Sequence, residues 1–513
     1  MKAWKEVEKQ IVLHDDKINV IESCLDRHAG ENPEKLAFVF ENNGRILRYT
    51  YKKLQDETNK FANLLNKLNV KNNSRVFIFL PKVPEMYISF LGAIKQGSIA
   101  VPLFEAFQSE GLRRRLERGN ANILVTNKEL SSRIPKNIKK LVPSLKNILV
   151  VDSQKYKNQI KEADSIFKTV LRNKKDSSII LFTSSTAGTP VAGIKLPHYG
   201  LVQQHFTAKL VLDLKETDNY WCTAHPGWVT GSIYGILAPL SIGCTVYVFE
   251  GHFEADKWIK FIKKNKISVV YTAPTALRML KSFIKKEDLK NVRNMCSVGE
   301  ALTETIFNHY KKLGVRINDT YWQTETGAIV IASWPGLKHQ KESLGKAIPG
   351  IEADIRNEAI VLKPGWPSMM TGIYKHDKMY KEYFREGWFQ TNDMARKDKE
   401  GYFFFEGRRD DIIKTSGMRV SPIEIESTLL KHNSVKEVAV IGVPHELKGY
   451  IIKAFIVLEK NVEPSEKLKE ELMLFVKKNY AGHAYPKEIQ FIPSLPKTNS
   501  GKIIRMELRK LYA

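Results

Sequence analysis

Apolar residues recur at helical spacing from residue 50 to 70, with Leu54, Phe61, Leu64, Leu65 and Leu68 on one face, which predicts an amphipathic helix. Arg75–Leu80 (RVFIFL) is a short, continuously apolar run stopped by Pro81 and reads as a buried strand. Glu85–Lys95 returns to helical spacing, Ile99–Leu103 to strand, and Ile123–Thr126 and Ile148–Val151 give further strands. Such alternation predicts βα units and a largely parallel sheet. A polar, Lys-rich stretch over 153–176 reads as a surface connection, and Ile179–Phe182 as the next strand.

A second alternating set follows. Strands are expected at Val246–Phe249, Val269–Tyr271 and Met295–Val298, with helices near Ala255–Lys264 and Thr275–Lys285. Between 340 and 410 the pattern breaks into short β-like pieces and Gly/Pro turns such as Lys363–Pro367. Beyond Asp410, strands at Val435–Val443 and Ile451–Leu458 and an amphipathic helix at Ser465–Tyr480, capped by Ser465, predict a small α+β unit. The fold class expected is α/β. A large N-terminal domain, 1–409, has two α/β layers plus a small β region, and a small mobile α+β domain, 410–513, follows.

Composition changes this picture little. The net charge of +25 raises nucleic acid or an acidic membrane surface as partners. The basic residues are spread out, though, and short clusters such as Lys136–Lys140 and Arg172–Lys175 read as solvated surface. Neither nucleic acid nor membrane is expected as a partner. The four cysteines include no CxxC pair, against a zinc ribbon or thioredoxin-type site. The first residues lack a signal-peptide core, and no run reaches the ~18 apolar residues of a membrane helix. A cytoplasmic protein is expected, and both monomer and homodimer stay open.

The candidate chemistry begins at Thr183–His198 (TSSTAGTPVAGIKLPH), a Ser/Thr/Gly loop after a strand. Small residues let backbone N–H groups approach a phosphate, and hydroxyls add donors. It is not a Walker A loop, because Ile194 stands where the lysine belongs. Read alone, an ordinary loop is at least as good an account.

This loop resembles the TSGTTGxPKG signature of the acyl-adenylate-forming enzymes. Tyr321–Gly327 (YWQTETG), Thr391–Asp393 (TND), Gly407–Arg419 (GRRDDIIKTSGMR) and Pro496–Lys502 (PKTNSGK) match in the same order. Within that superfamily the chain is most similar to the acetyl-CoA synthetase family, through Pro102–Phe107 (PLFEAF), Trp221–Gly231 (WCTAHPGWVTG), Cys296–Ala301 (CSVGEA) and Gly365–Met370 (GWPSMM). The resemblance implies an ATP-dependent ligase. A small carboxylate attacks the α-phosphate of ATP and releases pyrophosphate; the thiol of coenzyme A then takes the acyl group and releases AMP.

Residue roles follow from the same resemblance. Lys502 is implied as the activating lysine and Asp410 as the hinge. Thr183, Ser184, Ser185, Thr186, Gly188 and Thr324 are implied at the phosphates, and Gly299, Glu300, Ala301 and Asp319, Thr320, Tyr321, Trp322 and Gln323 on the adenine side. Asp393 is implied at the ribose hydroxyls, with Arg408 and Arg419 at ribose and phosphate. Glu325 is implied as the Mg²⁺ ligand. Val229, Thr230, Val298 and Trp322 are implied to wall the acyl pocket, where an indole fills the volume of a longer chain and favours acetate or propionate. Arg115, Thr230, Ser416 and Lys477 are implied to meet coenzyme A, and His432 with the backbones of Leu430 and Val435 to form a second cation site.

The sequence departs from the family at identifiable points. The phosphate loop lacks its lysine, Ser185 replaces a glycine and Ala187 a threonine, and His225 stands where close relatives often carry Asp. Lys195 is the nearest lysine available to the loop. These departures leave two other readings open: a ligase for a medium-chain or branched acid, and a catalytically weakened regulator that binds a nucleotide or acyl-adenylate.

Overall fold

The computed structural model describes residues 2–42, 44–182, 192–300, 302–408, 411, 413–415, 418–445, 449–479, 485–497 and 503–511. The two alternating sequence blocks become two separate sheets. The first runs in the order 372–373, 193–197, 177–182, 99–103, 75–79, 123–126, 147–150. Its central pairings are parallel, and Gly193–Pro197 turns back antiparallel on Ser177–Phe182. The second runs 346–347, 331–332, 317–321, 294–298, 269–272, 219–222, 245–249, 36–42, 45–50, again parallel at its centre. Central strands such as Ile99–Leu103 and Val269–Thr272 are buried at every position, because helices cover both faces.

The helix that begins at Tyr51 shows how sequence and packing cooperate. It spans Tyr51–Lys67, and the Thr50 side chain accepts from the Lys53 N–H at its start. Leu54, Phe61, Leu64 and Leu65 are all buried. Two expectations need correction. The polar stretch 153–176 contains a helix, Gln154–Lys161, capped by the Ser153 hydroxyl and anchored by the buried Tyr156. The helix expected to reach Lys285 ends at Leu280. Beyond it Phe283 is 53% exposed, and Ile284 reaches the core without the helix continuing.

Short antiparallel strands build the third sheet, in which Trp388–Lys397 pairs with Phe403–Arg408. The small C-terminal unit has its own sheet, built on the long hairpin of Val435–His445 and Gly449–Leu458. The helix Glu466–Asn479 covers it through Leu468, Leu472 and Val476, and Leu468 N donates to the Ser465 hydroxyl. Among the described residues no helix is long and apolar enough to cross a membrane. The four cysteines are buried and unpaired.

Candidate active site

Parallel strands end with their backbone dipoles and loops on one side, and ligands of open α/β sheets collect there. Here the strand ends of both large sheets open on one cavity of about 1550 Å³. Pro81–Val83 follow strand 75–79, and Phe104–Ala106 follow 99–103. From the second sheet come Thr223–His225, Glu250–Phe253, Thr272–Ala273, Val298–Glu300 and Trp322–Glu325, each at or just beyond a strand end. The small unit closes part of the wall with Pro422, Ile423, Glu426, Lys497, Ile503 and Arg505.

One cluster centres on Asp393. Its Oδ2 accepts from Tyr321 Oη at 2.8 Å and from Gln323 Nε2 at 2.6 Å. Gln323 Nε2 also donates to the Thr391 carbonyl at 2.9 Å, and Asp393 N donates to Thr391 Oγ1 at 3.2 Å. Antiparallel register places Asp393 opposite Arg408, whose Nε lies 3.7 Å from Asp393 Oδ1. Two motifs fifteen residues apart in sequence are therefore cross-strand neighbours on the cavity wall.

Glu325 follows the same strand as Tyr321. Tyr383 Oη donates to its Oε1 at 3.1 Å, and Met370 N donates to its backbone carbonyl at 3.0 Å. Burial holds its carboxyl above the ordinary range, partly offset by Tyr383 and by the charge of Arg408. Glu300 accepts from Thr275 Oγ1 at both oxygens, at 2.8 and 2.7 Å, with Arg278 Nη2 at 3.8 Å.

Trp322 is held by a chain of polar groups. Its Nε1 donates to Tyr271 Oη at 3.1 Å. Tyr271 shares a 2.8 Å hydrogen bond with Thr320 Oγ1, which itself donates to the Ser297 carbonyl at 2.6 Å. Val229, Thr230 and Val298 line the cavity with it.

Of the residues singled out from sequence, Gly299, Glu300, Thr320–Glu325, Asp393, Arg408, Val229, Thr230, Val298 and Leu430 share this cavity. Asp319 stands behind it, accepting from Ser297 Oγ at 2.6 Å, and burial raises its carboxyl to about 7. Arg115 lies outside the lining, stacked 3.6 Å from the Phe107 ring centroid with Nη1 on the Gly111 carbonyl. Lys477 is exposed. His432 has both ring nitrogens engaged: Nδ1 accepts from Ser434 N at 3.3 Å and Nε2 meets Glu471 at 3.1 Å. Among the described residues no cluster of three or more His, Cys, Asp or Glu suits a metal ion. Lys195 lies on strand 193–197 with its ammonium over Gly372 of the neighbouring strand, away from the lining. Thr183–Thr186, Gly188, Ala301, Asp410, Ser416 and Lys502 fall outside the described residues, and Arg419 is placed only as backbone of strand Met418–Val420.

Sequence reading missed Tyr271, Tyr234, Tyr383 and Arg505. Arg505 alone carried a signal, three residues beyond PKTNSGK; the tyrosines are distant in sequence from what they touch. The cavity also has a charged lobe that the sequence did not show, where Lys82 sits beside Glu105 and Glu250.

Comparison with known proteins fits this geometry. The AMP-binding enzyme family matches residues 25–367, and its C-terminal domain matches 424–502. The acetyl-coenzyme A synthetase of Bacillus subtilis (strain 168) is 43% identical over 520 residues, covering 96% of this chain and 90% of that one. Among solved structures, an acyl-CoA synthetase from Brucella canis is 30% identical with a TM-score of 0.75, covering 99% of this chain and 97% of that one. An anthranilate CoA ligase in complex with anthranoyl-AMP is 26% identical with a TM-score of 0.89, covering 97% and 98%. A shared cavity at the strand ends, two matched domains and full-length relatives lead to one conclusion: the chain belongs to the AMP-binding enzyme family.

Proposed function

We propose that this chain is an ATP-dependent acyl-CoA synthetase whose preferred acid is acetate, with propionate next. The observation that carries the reading is the convergence, on one cavity, of Asp393–Arg408, Glu325, Trp322 and the small unit's Lys497 and Ile503. Lys497 and Ile503 pair as an antiparallel bridge, so both ends of the segment bearing Lys502 start from the cavity wall. We assign the domain boundary to Asp410; in sequence it falls between strand Phe403–Arg408 and strand Ile413–Thr415. The alternatives, a ligase for longer or branched acids and a regulator without catalysis, are not favoured.

The first half-reaction brings two anions together, a carboxylate and the α-phosphate. Cations and donors fixed in a low-dielectric site offset the charge that develops on the phosphate. Lys502 supplies one such charge between the reacting groups, and Arg408 a second from the ribose side. Asp393 accepts the ribose hydroxyls; Tyr321 and Gln323 fix its orientation beforehand. Glu300 and Gly299 border the adenine, and Thr324 the phosphates. Thr183–Thr186 and Gly188 supply loop donors, and Arg419 a further contact. Trp322 closes the end of the acyl pocket between Val229, Thr230 and Val298.

Glu325 fits a hard divalent cation. Its carboxylate is buried at a cost, faces the cavity, and is steadied by one phenol. With one protein carboxylate, the remaining ligands would be phosphate oxygens and waters, which is how Mg²⁺ is usually held. When bound, the ion supplies charge neutralisation on the triphosphate. In the second half-reaction the thiol of coenzyme A attacks the acyl carbonyl and AMP leaves; Thr230, Arg115, Ser416 and Lys477 are assigned to that substrate.

Incubation with ATP, Mg²⁺, coenzyme A and acetate should release pyrophosphate and AMP in equal amounts with acetyl-CoA. Absence of turnover across acetate, propionate and longer acids would overturn the reading.

A further inference from the structure

The indole of Trp322 does not sit in the pocket on packing alone. Its Nε1–H donates to Tyr271 Oη at 3.1 Å. Thr320 Oγ1 spends its own proton on the Ser297 carbonyl at 2.6 Å, so the Tyr271 hydroxyl is the donor in its 2.8 Å bond with Thr320. Each proton in the chain has one acceptor, and the last is a strand carbonyl fixed by the sheet. The indole edge is thus tied to the backbone through two side chains.

The other side of Trp322 meets Tyr234 edge-on, with ring centroids 5.1 Å apart and planes at 80°. Tyr234 and Tyr271 are themselves edge-to-face at 5.4 Å and 88°. Tyr234 is fixed as well: its Oη accepts from Ile329 N at 3.0 Å and bonds Thr207 Oγ1 at 2.7 Å. Thr207 Oγ1 donates to the Gln203 carbonyl at 2.8 Å, which makes Tyr234 the donor to Thr207. Both tyrosines are fully buried. Tyr234 thus meets both Trp322 and Tyr271 in T-shaped contact, and with both tyrosines pinned at their hydroxyls the indole is held against a change of rotamer.

We propose that Tyr271 is the positioning residue for chain-length selection: its hydroxyl holds the Trp322 indole where it blocks acids longer than propionate, and Tyr234 backs that indole. This rests on the reading of Trp322 as the end of the acyl pocket. The floor of the pocket is then a clamped assembly and not a single side chain. Losing the clamp lets the indole tilt and admit extra methylenes with its bulk still present. Deleting the indole deepens the pocket only as far as the Tyr234 ring.

The test compares kcat/KM for acetate, propionate and butyrate in Tyr271→Phe, which keeps the ring and removes only the hydroxyl, and in Trp322→Gly. One hydrogen bond's net worth corresponds to about two- to tenfold. The butyrate-to-acetate ratio is expected to rise by about that factor in Tyr271→Phe, mainly through a lower KM for butyrate. The ratio should rise further in Trp322→Gly. A ratio unchanged in Tyr271→Phe while Trp322→Gly shifts it would overturn the clamp alone. No shift in either variant would remove the pocket reading and the clamp together. A second measurement does not depend on turnover. With 5-fluorotryptophan incorporated, the Trp322 resonance, assigned by its loss in Trp322→Phe, should shift and broaden in Tyr271→Phe. An unchanged line would also overturn the proposal.

Discussion

Arg505 Nη2 donates to both carboxylate oxygens of Glu426, each at 2.7 Å, across the cavity-facing side of the small unit. Glu426 also accepts from Val440 N at 2.7 Å, so the pair is tied to the sheet. The second arm of Arg505 lies 3.8 Å from Asp411, which receives a 2.7 Å bond from Arg509 one turn further along the helix Arg505–Lys510. One network, buried at Glu426 and half-buried at Arg505, Asp411 and Arg509, therefore joins the connector between the two units, the helix Pro422–Leu429 and the element that follows Lys502.

Removing one partner of a buried pair leaves the other charge uncompensated, at a typical cost of about 3–5 kcal/mol. Glu426→Gln is expected at the lower end of that range, because Arg505 retains Asp411. Urea denaturation monitored through the small unit should show a reduced midpoint. A midpoint unchanged from the wild type would contradict the importance of the pair.

The large unit carries a comparable pair. Lys95 is 1% exposed, and its Nζ lies 2.5 Å from Asp26 Oδ1. Asp26 also accepts from Thr169 Oγ1 at 2.6 Å and from Gln55 Nε2 at 2.9 Å. Asp26→Asn should cost about 3–5 kcal/mol, because it leaves the ammonium buried without a counter-charge. Lys95→Met should cost less, since Asp26 keeps two neutral donors and reaches solvent. Combining Asp26→Asn with Lys95→Met should recover most of the loss. Strict additivity of the two single changes, measured by thermal denaturation, would show that the ions do not interact.

Asp319 gives a stability change with pH. Burial raises its carboxyl to about 7 from the ordinary carboxylate range, against the opposing bonds from Ser297 and the Thr320 N–H. The folded state therefore holds a proton that the unfolded state has released between about pH 4 and 7. Where the native state binds the extra proton, stability falls as pH rises. Its contribution is full below about pH 4 and is lost by about pH 7. Asp319→Asn, which keeps an acceptor for Ser297, should flatten that part of the curve and raise the melting temperature most at pH 8. A larger gain at pH 4 than at pH 8 would reverse the assignment.

Sequence made some of this site visible and hid the rest, for physical reasons. Short apolar runs located the strands, and described motif residues beyond a parallel strand end, such as Trp322 and Glu325, fell on the cavity. Asp393 and Arg408 could be singled out separately, but their pairing depends on an antiparallel register with a shift between Met394 and Ala395. That register is a tertiary property. Tyr271 reads as the end of an ordinary strand and Tyr234 belongs to no motif; what distinguishes them is where their hydroxyls end. The helix at Gln154–Lys161 was hidden because its stretch is mostly polar and buries little besides Tyr156.

The sharpest test of the catalytic assignment separates the two half-reactions. Lys502 is assigned a charge that acts only while the carboxylate attacks the α-phosphate. Lys502→Ala should therefore slow pyrophosphate exchange by about 10²–10³-fold, as removal of one preorganised donor does elsewhere. Thioester formation from presynthesised acetyl-adenylate has no such charge to neutralise and should stay within a few fold of wild type. The phosphate loop has no lysine of its own, and Lys195 lies over Gly372 away from the cavity. With no lysine in the loop and Lys195 turned to Gly372, the adenylation defect should reach the upper end of that range. Equal losses in both half-reactions would mean that Lys502 acts on something common to them, such as closure of the small unit, and not on the phosphate.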